Sequence, residues 1–359
     1  MSAQTEQTDV QLQLEQERRR VDVDHFDLTV REVVRMAWSG ELHRAPDYQR
    51  KFRWDAEREA KLVESLFLGL PVPSIFVATN QDGSWELVDG LQRITTLMHY
   101  VEPTPEQLKA IGRDAVLALN GLEKLSLLNG KCFTDLATPL QWAFYKRSIR
   151  VTALSDKSDP DVRFDMFERL NSGGIVLTEQ EVRSCVYQGK FTTFVKTLAA
   201  DSDFLSLLKL REGQQDDGTK EELVLKFFAY FYDRASFKDD VKGFLNAYTK
   251  AATRSFDEKG AEATFRSAVQ HLAALIGGPL LRANWPITPL NQFEGVLVGA
   301  ADVLAEHGRL GTPPSGWLED EELLSFSQKG TNTKKMLNGR INRARTLLTP
   351  SAKARRPRR

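Results

Sequence analysis

The stretch "LVDGLQRITTL", residues 87–97, sets a carboxylate (Asp89), a glycine (Gly90), an amide (Gln92) and a guanidinium (Arg93) at a point where the hydropathy changes period. An apolar, strand-like lead runs into Asp-Gly, after which Leu91, Ile94, Leu97, Met98 and Val101 recur at helical spacing and leave Gln92, Arg93, Thr95, Thr96 and His99 off that face. A helix opening here presents its first-turn amides and the positive end of its dipole beside Arg93, which is the chemistry of an anion site. Asp89 would repel a bare phosphate; its place makes sense if it contacts a magnesium ion, orients a water or accepts hydrogen bonds from a ribose or base. The competing explanation is a capping box, with Asp89 as N-cap and Gln92 at the third helical position. Both stand on spacing alone.

Two further stretches carry similar chemistry. In "PDYQRKFRW", residues 46–54, Tyr48, Phe52 and Trp54 interleave with Arg50, Lys51 and Arg53, offering stacking faces and phosphate partners for a nucleotide or a single strand. A loop that packs its aromatics inward would read the same way. In "MFERLNSGGIVLTEQEVRSCVYQGKF", residues 166–191, Thr178 with Glu181 forms a capping box flanked by a Leu177/Val182 staple, which accounts for a helix-loop-helix. Arg169 and the "NSGG" loop are left over, and a glycine-rich polar loop lets backbone amides approach a phosphate.

These stretches need elements to position them. Helical spacing predicts a helix in "FDLTVREVVRMAWSGEL", with Val30, Val33, Val34 and Ala37 inward and Gly40 closing it. A second helix, "DAEREAKLVESLFLGLP", has Asp55 as N-cap, the stripe Leu62, Val63, Leu66, Phe67 and Leu70, and Pro71 as its stop. "SIFVA" and "WELVD" around "NQDG" read as a strand hairpin, and "RSIRVTAL" as a further strand. Beyond "SDKSDPD" nearly everything reads helical. The fold class is therefore α+β: a flexible lead over residues 1–24, a small α/β domain over 25–155, a helical domain over 156–348 and a basic, disordered tail over 349–359.

Composition narrows the class. With 41% hydrophobic and 27% charged residues and only an apolar run at 272–281, the chain has no membrane span or signal region, so the expected location is the cytoplasm. Two cysteines and five scattered histidines exclude a disulfide framework and a zinc site by spacing. Net charge is zero, but no acidic residue follows Glu322, and Arg343, Arg345, Lys353, Arg355, Arg356, Arg358 and Arg359 form a basic end suited to DNA phosphates. A solubilising terminus explains that end equally well. No phosphate-binding P-loop, H-E-x-x-H, G-x-S-x-G or HNH nuclease pattern is present.

In order, "GELHRAPDYQRKFRWDAEREAKLVESLFLGLPVPSIFVA", "WELVDGLQRITTL" and "MFERLNSGGIVLTEQEVRSCVYQGKF" resemble domain-of-unknown-function family 262, the N-terminal domain of GmrSD-type restriction systems. The resemblance covers about residues 26–191 and implies a ParB/sulfiredoxin-like fold followed by helices. It also implies nucleotide binding and nucleoside-triphosphate hydrolysis coupled to restriction of modified phage DNA. The family's Asp-Gly-Gln-Gln-Arg motif falls on Asp89, Gly90, Leu91, Gln92 and Arg93, with Leu91 in place of the first glutamine. Its aromatic-Gln-Arg motif falls on Tyr48, Gln49, Arg50 and Trp54, and its Arg-Leu-Asn-x-Gly-Gly motif on Arg169, Leu170, Asn171, Gly173 and Gly174.

Three functions follow as expectations. In a nucleoside triphosphatase, Arg50 and Arg93 bind phosphates, Asp89 places a metal (Mg2+) or water, and Gln92 orients the nucleophile. In a nucleotide-gated module without catalysis, the helical half and the tail contact DNA, a partner nuclease or another defence subunit. A stand-alone metal-dependent nuclease is weaker, because Glu86 and Asp89 sit at opposite ends of a very short strand.

Overall fold

The computed structural model describes residues 11, 12, 14, 15, 22–43, 54–80, 82–155, 164–167, 169, 178–328 and 330–350. The chain divides into two compact units, Met1–Leu177 and Thr178–Arg359. The boundary expected at residues 155–160 falls, apart from Ser155, outside the described residues.

The first unit is built on a five-stranded sheet. Its strands are β1 (Val23–Thr29), β2 (Leu42–His43), β3 (Ile75–Thr79), β4 (Trp85–Asp89) and β5 (Ser148–Leu154), in the order β1-β5-β3-β4-β2. β1 runs antiparallel to β5, β5 parallel to β3, β3 antiparallel to β4, and β4 parallel to β2. The β3–β4 hairpin forms as its sequence predicts, with a register shift between Phe76 and Val77. The sheet curls strongly. Phe26 of β1 and Trp85 of β4 have two strands between them in the order, yet their ring centroids are 5.1 Å apart.

Helices α1 (Val30–Ser39), α2 (Ala56–Leu68), α3 (Leu91–Tyr100), α4 (Pro105–Ala110) and α5 (Thr138–Tyr145) belong to this unit. The helix expected from Phe26 onward begins only at Val30. His25–Thr29 extends as β1 instead, and Thr29 is the N-cap, its hydroxyl accepting from the Glu32 amide. Helix α2 starts on the Asp55 cap as expected, but it stops at Gly69 in a left-handed conformation rather than at Pro71, which leaves Leu70 exposed. Helix α3 departs further from its sequence pattern, because Thr95, Thr96 and His99 are buried along with Ile94, Leu97 and Met98. It is a core helix covered on nearly every side, so its polar residues had to find partners inside.

The second unit is helical: α6 (Glu179–Val186), α7 (Lys190–Ala199), α8 (Ser202–Ser206), α9 (Thr219–Asp233), α10 (Val241–Ala252), α11 (Glu258–Ile276), α12 (Leu290–His307), α13 (Glu321–Gln328) and α14 (Lys334–Leu348). The Thr178/Glu181 capping box opens α6 as predicted, with Thr178 N–H donating to Glu181 Oε2 at 2.6 Å and Glu181 N–H to Thr178 Oγ1 at 3.2 Å. An alternating chain of charges crosses the interior. Arg183 lies 3.8 Å from Glu222, whose other oxygen is 2.9 Å from Lys226 Nζ; that ammonium is 3.0 Å from Glu294, which meets Arg340 at 3.2 Å. Burial alone would push Lys226 down, but the carboxylates of Glu294 and Glu222 outweigh it and hold the ammonium above the ordinary lysine range. No helix of the described residues is long and apolar enough to cross a membrane.

Helices α12 and α14 touch through glycine. A Cβ at Gly299 would stand 2.9 Å from both the Arg345 amide nitrogen and the Ile341 carbonyl oxygen, backbone atoms with no room to yield. Gly299→Ala is therefore expected to destabilise the chain by about 1–3 kcal/mol in chemical denaturation. Gly278→Ala, with nothing within 4 Å of its Cβ, should change stability by less than about 0.5 kcal/mol.

Candidate functional site

The β4–α3 junction is arranged differently from a capping box. Gly90, not Asp89, is the N-cap of α3; it sits at φ 111°, and no side chain caps this end. Asp89 instead turns to Arg93 one helical turn on, Arg93 Nη2 donating to Asp89 Oδ2 at 2.7 Å. Arg93 Nη1 donates to the Pro73 carbonyl at 3.1 Å. The carboxylate is 36% exposed and the guanidinium side chain 12%, so Arg93 braces from within while Asp89 faces out. The aliphatic stem of Arg93 lines a small apolar hollow with Leu62, Val72, Ile75 and Leu97, a setting that suits a long side chain with a planar head.

Gln92 connects this junction to the aromatic stretch. Its side-chain oxygen accepts the backbone N–H of Trp54 at 3.1 Å. The Trp54 carbonyl accepts from Arg113 Nη2 at 3.2 Å, and the same Nη2 donates to Glu59 Oε1 at 2.7 Å. Glu59 is fully buried, and its second oxygen lies 2.6 Å from His99 Nδ1, whose Nε2 is 2.8 Å from the Ala115 carbonyl oxygen. The Arg58 guanidinium lies 5.4 Å from the centre of the Trp54 ring. Trp54 is thus pinned through its backbone from both sides and covered on its ring. Glu59, His99 and Arg113 were not singled out in the sequence. One signal was available, since Glu59 precedes Leu62, Val63 and Leu66 by three, four and seven positions and is an acid on the apolar stripe of α2.

Residues 30–188 match the sequence family described as the N-terminal domain of the GmrSD restriction endonuclease. The match bears out the resemblance of this region to a GmrSD-type N-terminal domain. No curated protein and no solved structure matches the chain.

Of the residues mapped onto the GmrSD-type motifs, Asp89, Gly90, Gln92, Arg93 and Trp54 form one connected group. Arg169 is helical and exposed. Tyr48, Gln49, Arg50, Asn171, Gly173 and Gly174 lie outside the described residues. Leu91, where the family has glutamine, is partly buried and packs against the core of the domain. Glu86 is buried on β4, in a different setting from the half-exposed Asp89. Among the described residues no cluster of three or more His, Cys, Asp and Glu side chains could hold a metal ion. A magnesium ion bound mainly through phosphate oxygens and waters needs only one or two carboxylates, which Asp89 can meet.

The basic end is less free than its sequence implies. Arg343 donates to both oxygens of Asp320 at 2.8 and 2.7 Å and pairs with Glu322 at 3.0 Å, while Arg345 pairs with Glu306 at 2.6 Å. Lys353, Arg355, Arg356, Arg358 and Arg359 lie outside the described residues. The acids that occupy the two arginines come from residues 306–322, ahead of the segment that contains none.

Two outcomes test these arrangements. At Gly90 an added Cβ would meet Ile75 Cγ1 at 3.0 Å and Arg93 Nη2 at 3.3 Å in a left-handed backbone. Gly90→Ala should therefore cost about 1–3 kcal/mol in thermal or chemical unfolding. The hydrogen bonds from Arg343 hold the Asp320 carboxyl below its ordinary value of 3.8, with burial opposing them. A depressed folded-state value stabilises fully above the unfolded value and loses that stabilisation as pH falls through the folded one. Asp320→Asn should accordingly show a shallower loss of stability below about pH 4 than the parent chain when melting is followed against pH.

Proposed function

We propose that the GmrSD-type domain binds a nucleoside triphosphate with magnesium at the β4–α3 junction and hydrolyses it, as the switch of a restriction system directed at modified phage DNA. The observation that carries this reading is the uncapped start of α3 beside an outward-facing carboxylate braced by a largely buried arginine. The first-turn amides and helix dipole suit phosphate oxygens. Asp89, with one oxygen held by Arg93, presents the other to a phosphate-bound magnesium ion or to the attacking water. Such catalysis is mainly positioning and charge stabilisation. Gln92 acts by holding Trp54, the last residue of the aromatic stretch, beside the phosphate site. The basic residues at 353–359 are assigned to DNA phosphates, and a partner nuclease supplies the cutting that no motif of this chain provides.

Leu91 favours a second reading, a nucleotide-gated binding module without turnover, because the side chain that replaces the family's glutamine is apolar. Phosphate release from each of the four ribonucleoside triphosphates with magnesium decides between them. Turnover is expected in the parent chain, lowered roughly 100-fold or more in Asp89→Ala and Arg93→Ala variants that melt cooperatively. Nucleotide binding without turnover establishes the gated module. Neither binding nor turnover overturns both readings.

A further inference from the structure

Among the described residues β1 ends the sheet on one side, with its outward edge open along its length. The register with β5 continues at both ends into backbone bonds from Ser155 N–H to the Asp22 carbonyl at 3.0 Å and from Val30 N–H to the Arg147 carbonyl at 2.9 Å. In an antiparallel ladder the bonding direction alternates residue by residue, so the even-numbered residues of β1 turn their N–H and C=O groups toward β5. Val23, His25, Asp27 and Thr29 turn theirs outward. Among the described residues no backbone partner meets the outward groups of His25 and Asp27. Asp24, His25, Phe26 and Asp27 are all exposed. The strand has no proline, lysine or bulge of the sort that commonly blocks edge pairing.

Charge and side-chain pattern fix what fits this edge. We propose that β1 pairs antiparallel with β1 of a second copy of this chain, with Phe26 on the two-fold axis. Outward groups must meet outward groups, which restricts the symmetric registers to those centred on a residue of the strand. Centring on Asp27 sets that carboxylate against its own copy, and centring on His25 sets Phe26 against Asp24. Centring on Phe26 places His25 opposite Asp27 twice, as hydrogen-bonded pairs of complementary chemistry. It also brings the two Phe26 rings together as a non-hydrogen-bonded pair, in which side chains approach most closely. Phe26 is 38% exposed, and one side of its ring already rests on Trp85, so the partner's ring extends an existing aromatic contact. His25 and Asp27 reach Thr152 and Arg150 on the opposite face of the sheet, away from Phe26.

The register gives a direct test with the full-length chain under mild oxidation, Cys132 and Cys185 being retained throughout. A non-hydrogen-bonded pair sets its Cα atoms about 4.5 Å apart, within disulfide range, so Phe26→Cys should give a covalent dimer. Asp24→Cys, whose position faces Leu28 of the other copy, puts the two new thiols about 13 Å apart along the strand and should give none beyond the parent chain. Sedimentation of the parent should show a concentration-dependent dimer. Asp27→Pro, which removes an outward N–H together with the carboxylate that accepts from Arg150 and faces His25 of the other copy, should raise its dissociation constant roughly tenfold or more in a chain that still melts cooperatively. A parent monomeric at its highest soluble concentration overturns the proposal, as does cross-linking in Asp24→Cys but not in Phe26→Cys. If Asp27→Pro does not fold, the cysteine pair decides alone.

Discussion

A single buried carboxylate organises the first unit. Glu59 lies on the apolar stripe of α2 with no access to water, and a carboxyl group there is tolerable only if both oxygens are met. Arg113 and His99 meet them, and each does so while holding something else: Arg113 the carbonyl of Trp54, His99 the carbonyl of Ala115. The need to satisfy one acid thereby fixes where the aromatic stretch ends and how the following chain passes α3. Gln92 completes the arrangement from the other side through the Trp54 amide. The candidate site is assembled from backbone atoms held by buried side chains, which makes its geometry a property of the core.

The same logic clarifies what was legible beforehand. The start of helix α2, the β3–β4 hairpin, β5 and the capping box before α6 all follow from local patterns of spacing and capping, and they form where those patterns place them. β1 was hidden because "HFDLT" is too short for its alternation to stand out from the helix that follows; Thr29 belongs to both, as the last strand residue and the cap. The junction itself was legible in its residue types but not in its pairing. Asp89 lies next to both the helix start and, one turn on, a guanidinium, and spacing cannot choose between a neutral cap and an ion pair. The choice falls to Arg93 because Gly90, in a left-handed conformation that suits only glycine, takes the cap position. The links from Gln92 to Trp54 and from Glu59 to Arg113 span 38 and 54 residues, beyond the reach of any local pattern.

In the second unit, helical periodicity located the helices while concealing their polar interior. Lys226 and Glu294 sit within strongly apolar runs, and Arg340 lies on a stretch that reads as exposed and basic. Inside, they alternate in sign along one path with Arg183 and Glu222. Glycine governs the contact beside that path, since α12 and α14 approach closely enough that Gly295 and Gly299 leave no space for a side chain.

That alternating path bears on how the protein can vary. Each member is compensated by a neighbour contributed by a different helix or helical turn, so loss of Glu222 or Glu294 leaves a buried guanidinium, Arg183 or Arg340, without its acid, and loss of any other member leaves its neighbour with a single partner. Single substitutions along the path are selected against from both ends, whereas replacing the members together with apolar residues of similar volume carries no such penalty. Descent should therefore treat these five positions as one inherited character, kept whole or exchanged whole, even though they are scattered from residue 183 to residue 340 of the chain.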